Sequence, residues 1–440
     1  MSYIYRRVQT PNYTQDRKDR ALTPTHTVRI KTRLCKEKEN SILYKDKSSA
    51  EPAKIASSAA YAVNSTTIYT GRQTVVKCTL PDVRMDYTPG DSVLLWASNS
   101  ECLCKALLSL LEIDDALFIA FERVHARTGA VVFSFSGMAA DYFRHFMDAK
   151  SLPSKLLLYT LSEYASAENG CRDRLRYLST KEGSADYFGM AKAWNSIADV
   201  FAEFSVKVPL EVLLGVCTEI KPRAFSMTQK IGSACEFVSG ILTNTAEDST
   251  RLGHFSEYIA SAASETGSHT PGLDLSAGLV YRVQHKENRL LRMRMSQPGR
   301  SALLVGIGTG VSPFISFIRN CPEGARLTLF YGCRSPGENI LLQWGLISGE
   351  GERSEYAGAR KHCMPSAGPG IRVYVVYSQA DMCIRMDRFF VANKGAAGKA
   401  WEEAEKTDLY ICGNKPASMS VSKYFSENHP ALSQSVDDWS

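Results

Sequence analysis

Hydrophobic and polar positions alternate from Thr67 to Leu80, where Ile68, Val75, Val76, Cys78 and Leu80 recur, and Val93-Leu94-Leu95-Trp96 makes a second apolar run. A period of two predicts half-buried strands. Between the runs stands Tyr87-Thr88-Pro89-Gly90-Asp91, a turn signal in which proline presets φ and the following glycine accepts a positive one. Short strands joined this way predict an antiparallel sheet or barrel. After about residue 100 the period changes. Cys104 to Leu111 is helical in pattern; beyond Pro153, Leu156, Leu157, Leu161 and Tyr164 share one helical face, and Trp194, Ile197, Val200, Phe201 and Phe204 share another. These are amphipathic helices with one buried stripe, a core pattern rather than a cofactor box. Strand texture returns at Pro222 to Met227, Cys235 to Thr243 and Leu279 to Val283, before the basic segment Arg289 to Arg294.

From Ala302 apolar strands alternate with helices. The predicted order is strand Ala302 to Val305, helix Phe314 to Ile318, strand Leu327 to Tyr331, strand Val373 to Tyr377, a helix near Trp401 and strand Leu409 to Cys412. That order predicts a parallel sheet with ligand at the carboxyl ends of its strands. Gly345 to Gly370 interrupts it with a glycine- and serine-rich stretch, read as a flexible loop. No internal repeat is present. The expected fold is multidomain: an antiparallel β-barrel from residues 51–99 and 209–298, a helical connecting insertion at 100–208, and an α/β parallel-sheet domain at 299–440. Residues 1–50 lack periodicity and read as a basic, disordered tail.

Composition sharpens this picture at few points. The chain has 440 residues, 44% hydrophobic and 22% charged, enough for two or three soluble domains. The net charge of +6 is partly local, with Arg6, Arg7, Arg17, Lys18, Arg20, Arg29, Lys31 and Arg33 crowding the N-terminus. A solvated tail is the better reading than a nucleic-acid-binding arm, because no aromatic or motif support accompanies the charge. No stretch approaches the ~20 apolar residues of a membrane helix, and no secretory signal is visible. The 12 cysteines form no C-x-x-C pair, which predicts reduced thiols in a soluble, cytoplasmic protein. The 8 histidines do not cluster at ligand spacing, so no structural metal is expected, and His362-Cys363 reads as incidental.

The chemistry concentrates in Gly306-Ile307-Gly308-Thr309-Gly310-Val311-Ser312-Pro313-Phe314. Glycine permits positive φ and close backbone approach. Free N–H groups at the start of the helix then face an anion above the strand end. This is a pyrophosphate cradle or a plain tight turn; it is not G-x-G-x-x-G, since Ser312 stands where the third glycine belongs. Tyr331-Gly332-Cys333-Arg334, Tyr377-Ser378-Gln379 and Ile411-Cys412-Gly413-Asn414 end neighbouring strands.

With these segments the chain resembles the FAD- and NADP-binding half, ferredoxin-NADP reductase-like, of the diflavin reductases, the group containing cytochrome P-450 reductase and methionine synthase reductase. The resemblance covers roughly residues 50–440 and includes Tyr87 to Asp91, Arg223-Ala224-Phe225-Ser226, Gly240-Ile241-Leu242-Thr243-Asn244, Gly308 to Gly310 with Pro313, Gly332 to Arg334 and the terminal Asp437-Asp438-Trp439-Ser440. It implies FAD and NADPH as cofactors. Arg223 would neutralise the FAD pyrophosphate, a role suited to a planar, permanently charged guanidinium. Phe225 would pack on the isoalloxazine, and Ser226 would hydrogen-bond near the hydride-accepting nitrogen. Gly240, Thr243 and Asn244 would cap the same pyrophosphate. Gly308, Thr309, Gly310 and Pro313 would hold the nicotinamide dinucleotide, with Cys333 and Arg334 close by. Cys412 would lie beside the nicotinamide, with Asp437 and Trp439 as the terminal acid and the aromatic that covers the flavin.

Departures from the family are informative. Ser378 is followed by Gln379 where arginine is usual, leaving Arg385 and Arg388 to contact a 2′-phosphate and leaving NADH as an alternative donor. Asn414 replaces an aspartate, and the segment between Ser226 and Gly240 is short. No flavodoxin-like FMN domain, which needs roughly 100–150 residues, is expected within these residues, so the resemblance implies a separate FMN, iron–sulfur or haem acceptor protein. The function expected is an FAD-dependent NADPH oxidoreductase passing electrons to that acceptor. The alternative is a degenerate, non-catalytic homologue that binds a partner.

Overall fold

The computed structural model describes residues 6–8, 26–34, 41–45, 53–56, 64–69, 74–80, 85–166, 168–241, 243–246, 249–252, 254–257, 280–291, 301–349, 351–362, 370–379, 384–394 and 407–439. Its described strands form two six-stranded antiparallel sheets, a two-stranded ribbon and a seven-stranded, mainly parallel sheet.

The first antiparallel sheet runs in the order Arg6–Val8, His26–Leu34, Leu117–His125, Val131–Met138, Ser41–Lys45, Ala53–Ala56. It corrects two expectations. Residues 26–34 and 41–45 are not tail: His26–Leu34 pairs along its whole length with Leu117–His125. Within His26–Leu34, Val28 and Ile30 are buried while Arg29 and Lys31 are exposed, so the strand has one apolar and one basic face. Arg29 and Lys31, part of the charge that suggested a tail, form that outer face. Residues 100–208 are likewise not wholly helical, since they hold the hairpin Leu117–His125 and Val131–Met138. The helices Glu101–Leu110, Ala139–His145, Lys155–Ser162, Cys171–Ser179, Ser184–Met190 and Ile197–Glu203 share one core with this sheet, centred on Phe121, Phe135, Tyr142 and Phe201. Ser154 and Ser196 cap two of these helices, each accepting from a backbone N–H of the first turn.

The second antiparallel sheet is ordered Val280–Lys286, Ser92–Ala97, Arg223–Ile231, Ala234–Ile241, Thr74–Leu80, Asn64–Tyr69. Among the described residues it is open, with Val280–Lys286 and Asn64–Tyr69 as its edges, and does not form the closed barrel expected. The alternation read over Thr67 to Leu80 divides into two antiparallel strands. Ser92–Ala97 pairs directly with Arg223–Ile231, so the helical region leaves and rejoins one continuous ladder. The turn before it has the predicted chemistry. Gly90 takes φ +99°, and a side chain there would meet the Leu291 carbonyl oxygen at 2.3 Å, which leaves glycine alone able to fill the position.

The seven-stranded sheet is ordered Glu352–Arg353, Ala359–His362, Ile371–Tyr377, Arg326–Cys333, Ser301–Ile307, Thr407–Asn414, Ser433–Trp439. The last five pair in parallel, and the central residues of the first four of these are buried on both faces, as continuous apolar runs require. The Gly345 to Gly370 stretch is not all loop, because Glu352–Arg353 and Ala359–His362 extend the sheet as antiparallel edge strands. The helix expected near Trp401 lies outside the described residues. The helix Ser312–Arg319 packs against Arg223–Ile231, and Val75 and Val238 enter the same core as Phe314 and Phe317, which seats the α/β sheet on the second antiparallel sheet. No helix among the described residues is long and apolar enough to cross a membrane.

Candidate functional site

Ser301–Ile307 lies between Arg326–Cys333 on one side and Thr407–Asn414 on the other. Such a reversal of strand order opens a crevice at the carboxyl ends of the strands. The glycine turn sits there. Gly308 takes φ +59° and a side chain built on it would meet nothing within 4 Å, whereas one on Gly310 would stand 2.2 Å from the Cys412 carbonyl oxygen. The turn is thus open at Gly308 and pressed onto the next strand at Gly310. Ser312 Oγ donates to the Thr309 carbonyl at 2.6 Å, and Pro313 occupies the first helical turn, where its missing N–H leaves no gap. An open cradle at a helix N-terminus fits a dinucleotide pyrophosphate.

Neighbouring strand ends are fastened to this crevice. The Ser378 and Gln379 amides donate to the Cys333 and Arg334 carbonyls at 3.0 and 2.9 Å. Cys333 is buried, and burial pushes its thiol well above the ordinary range. Arg334 is partly exposed and lies 3.7 Å from the Glu338 carboxylate. Met386 packs on Gly332, so the helix Met386–Ala392 begins at the same edge. Arg385 and Arg388 lie at its start, both exposed.

Cys412 is fully buried. Burial first, and then the Asp437 carboxylate, push its thiol well above the ordinary range, so it is a neutral thiol. Asp437 is its partner in the parallel ladder. Asn414, the departure from aspartate, caps the helix Lys415–Asn428, its side chain accepting from the Ala417 amide at 3.1 Å. The chain end is held as an edge strand with Trp439 opposite Asn414; the Trp439 side chain lies outside the described residues.

On the antiparallel side, Arg223 is exposed and has no side-chain partner among the described residues. Ser226 is buried opposite Ser92. Phe225 packs between Phe237 and Phe255, with ring centroids at 4.9 and 4.5 Å. Gly240 stands opposite Val75. Thr243 and Asn244 fall in the short ribbon, opposite Leu252 and Arg251; their side chains lie outside the described residues. The turn Gly308–Val311 touches the strand Ala234–Ile241, so the glycine loop meets the antiparallel sheet.

One residue ties the two halves together, and the motifs gave no hint of its reach. The Asp91 carbonyl accepts from the Met227 amide at 2.9 Å, next to Ser226. Its buried carboxylate accepts from the Thr88 amide at 3.0 Å, from the Asn288 amide at 3.1 Å and from His285 Nε2 at 2.9 Å. Asn288 Nδ2 in turn donates to Asp437 at 2.9 Å. A path of hydrogen bonds therefore runs from the Arg223–Ser226 segment to the acid beside Cys412. Asn288 and His285 were missed because they lie in a polar, basic stretch; the only local signal was an asparagine able to turn the chain through its own side chain.

A cavity of about 930 Å³ lined by Asp86, Tyr87, Gln229, Lys230, Arg319 and Asn320 lies at the opposite, C-terminal end of the helix Ser312–Arg319, away from this crevice.

Comparison with known proteins shows what the chain is similar to. Residues 71–234 match the FAD binding domain family. The chain is also similar to complete diflavin reductases. It is 23% identical over 298 residues to methionine synthase reductase of Homo sapiens, covering 61% of this chain and 42% of that protein. It is 26% identical over 325 residues to NADPH-dependent diflavin oxidoreductase 1 of Arabidopsis thaliana, covering 69% and 49%. It is 23% identical over 299 residues to NADPH–cytochrome P450 reductase of Oryctolagus cuniculus, covering 64% and 41%. The family resemblance carried by the motifs is thus borne out, and the match spans less than half the length of each of these relatives.

Proposed function

We infer that the protein is an FAD-dependent NADPH oxidoreductase delivering electrons to a separate acceptor that carries FMN, an iron–sulfur cluster or haem. The observation that carries this reading is the hydrogen-bonded path through Asp91, which joins the Arg223–Ser226 strand to the Cys412–Asp437 pair at the parallel-sheet crevice. FAD, when bound, supplies the conversion between two-electron hydride chemistry and one-electron transfer. Arg223 binds its pyrophosphate, helped by Gly240, Thr243 and Asn244, and Phe225 and Ser226 hold the ring. Gly308, Thr309, Gly310 and Pro313 hold the nicotinamide dinucleotide pyrophosphate. Cys333, Arg334, Ser378, Gln379, Arg385 and Arg388 surround its 2′-phosphate end. Cys412 offers a small, polarisable, uncharged surface to the nicotinamide, with Asp437 as the acid beside it. Trp439 would be the aromatic that covers the flavin face.

The contact of Phe225 with Phe237 and Phe255 favours the alternative reading, a partner-binding homologue without turnover, because that ring is already engaged. The absorption spectrum of the purified protein, with FAD supplied and then NADPH, separates the two. A flavin spectrum that bleaches supports the reductase. A colourless protein that takes up no FAD supports the alternative.

A further inference from the structure

Asn288 is held by more contacts than a surface residue of a basic loop needs. Its backbone N–H donates to Asp91, and its side-chain Oδ1 accepts from the Leu290 and Leu291 amides at 3.1 and 3.2 Å. Two backbone donors on one side of the amide fix its orientation, because only the oxygen can accept them. Nδ2 must then face the other way, and there it meets the Asp437 carboxylate at 2.9 Å. Behind it, Asp91 is buried and also holds His285 and the turn at Thr88. Three residues further on, the Leu291 carbonyl lies too close to Gly90 for any side chain to fit there. The segment is therefore pinned through Asp91 and Gly90 to the turn before Ser92–Ala97, and the Asn288 side chain donates across to the α/β sheet.

We propose that Asn288 is a positioning residue for Asp437, with Asp91 as its anchor: the amide holds the carboxylate beside Cys412 and keeps the flavin-bearing and nicotinamide-bearing halves in register. This rests on the function inferred above for Asp437. A donor to an ionised carboxylate favours the ionised form, so removing the amide should disfavour that form of Asp437. Among the described residues, the ionisable groups around it include Cys412 on the neighbouring strand, with Asp91 and His285 behind Asn288.

The test uses the full chain with Asn288→Ala and Asn288→Asp. The aspartate keeps an oxygen for the Leu290 and Leu291 amides, so it preserves the loop while replacing the donor to Asp437 by an acceptor. Two quantities are read. The first is the stopped-flow rate of flavin reduction by NADPH, against NADP⁺ affinity. The second, which needs no flavin, is the infrared titration of the Asp437 carboxyl, identified by its loss in Asp437→Asn. Both variants should slow reduction roughly tenfold with nucleotide affinity unchanged. Both should raise the Asp437 midpoint by about one pH unit or more, as expected from losing one charge-assisted hydrogen bond. Wild-type reduction rates and an unmoved carboxyl titration in Asn288→Asp would overturn the proposal. A wild-type protein that takes up no FAD would overturn the functional reading instead, while the carboxyl titration would still decide whether Asn288 holds Asp437. If Asn288→Ala does not fold, Asn288→Asp decides alone.

Discussion

Two neighbouring glycines of the crevice should fail differently when replaced by alanine. At Gly310 the obstacle is the protein. An added methyl would stand 2.2 Å from the Cys412 oxygen, 2.6 Å from its carbonyl carbon and 2.8 Å from the Gly413 Cα, where ordinary contact begins at 3.4 Å. The turn must retreat by about 1 Å, and its opponents are backbone atoms of an interior strand that cannot swing aside. Overpacking of that kind costs roughly 1–3 kcal/mol of stability, and a displacement of about 1 Å at a binding site can cost about a hundredfold in function. At Gly308 the methyl meets nothing, and the cost is φ +59°, about 1–2 kcal/mol for a residue with a side chain. The space it fills is where the pyrophosphate would approach. Gly308→Ala should therefore lose NADP⁺ affinity by tenfold or more with modest loss of stability. Gly310→Ala should lose affinity, stability and the rate of flavin reduction together. Urea unfolding and isothermal titration with NADP⁺ measure both. Unchanged affinity in Gly308→Ala would refute the placement of the phosphate over this turn, and unchanged stability in Gly310→Ala would refute the close packing on Cys412.

Three further outcomes are expected. Replacing Arg385 and Arg388 together by Gln should reduce the preference for NADPH over NADH by about 10–100-fold, the worth of one charge-assisted hydrogen bond; steady-state kinetics with both nucleotides check it, and an undiminished preference would remove these arginines from the 2′-phosphate site. Glu236 is buried, bridging Lys77 at 2.8 Å and Arg319 at 3.3 Å, while both cations flank the Trp344 ring; Glu236→Gln should cost about 1–3 kcal/mol in urea unfolding, less than for a fully buried pair because the cations reach solvent. Burial pushes His145 from 6.5 down to about 3, so the unfolded chain takes up its proton first as pH falls. Its contribution is intact above about 6.5 and falls progressively toward 3, by roughly 2 kcal/mol at pH 5. His145→Gln should flatten the difference in unfolding free energy between pH 7 and pH 5.

The parallel half was legible because its strands are buried on both faces and read as unbroken apolar runs. Ala302 to Val305 and Leu327 to Tyr331 fall inside the observed Ser301–Ile307 and Arg326–Cys333. The first antiparallel sheet was not, for a related reason. Its strands have one wet face, and in His26–Leu34 that face is basic enough for charge to hide the alternation of Val28 and Ile30. Ala359–His362 was hidden by the glycines around it. The candidate site divides in the same way. Gly308, Gly310, Cys412 and Asp437 stand in motifs and meet where strand ends converge. Asn288 acquires its place only through Asp91, 197 residues away in sequence, and no periodicity records a pairing of that span.

That pairing also explains how so large a helical region can interrupt the antiparallel sheet without disturbing the crevice. Ser92 and Ser226 are direct partners across the ladder although the helices and the hairpin Leu117–His125 and Val131–Met138 are inserted between them. Their register is set by strand hydrogen bonds, and Asp91, one residue earlier, inherits it when its carbonyl takes the Met227 amide. The closure cost of a long loop grows only slowly with length, so the insertion can vary in size while Asp91 stays beside Ser226. The inserted helices instead bury their apolar faces against the sheet built from His26–Leu34 and Leu117–His125. The site is therefore fixed by three short stretches, residues 88–92, 223–227 and 285–291, to which the α/β sheet is joined through Asn288 and Asp437. An insertion anchored outside those stretches can carry a docking surface of its own, and changes to that surface leave the geometry at Cys412 untouched.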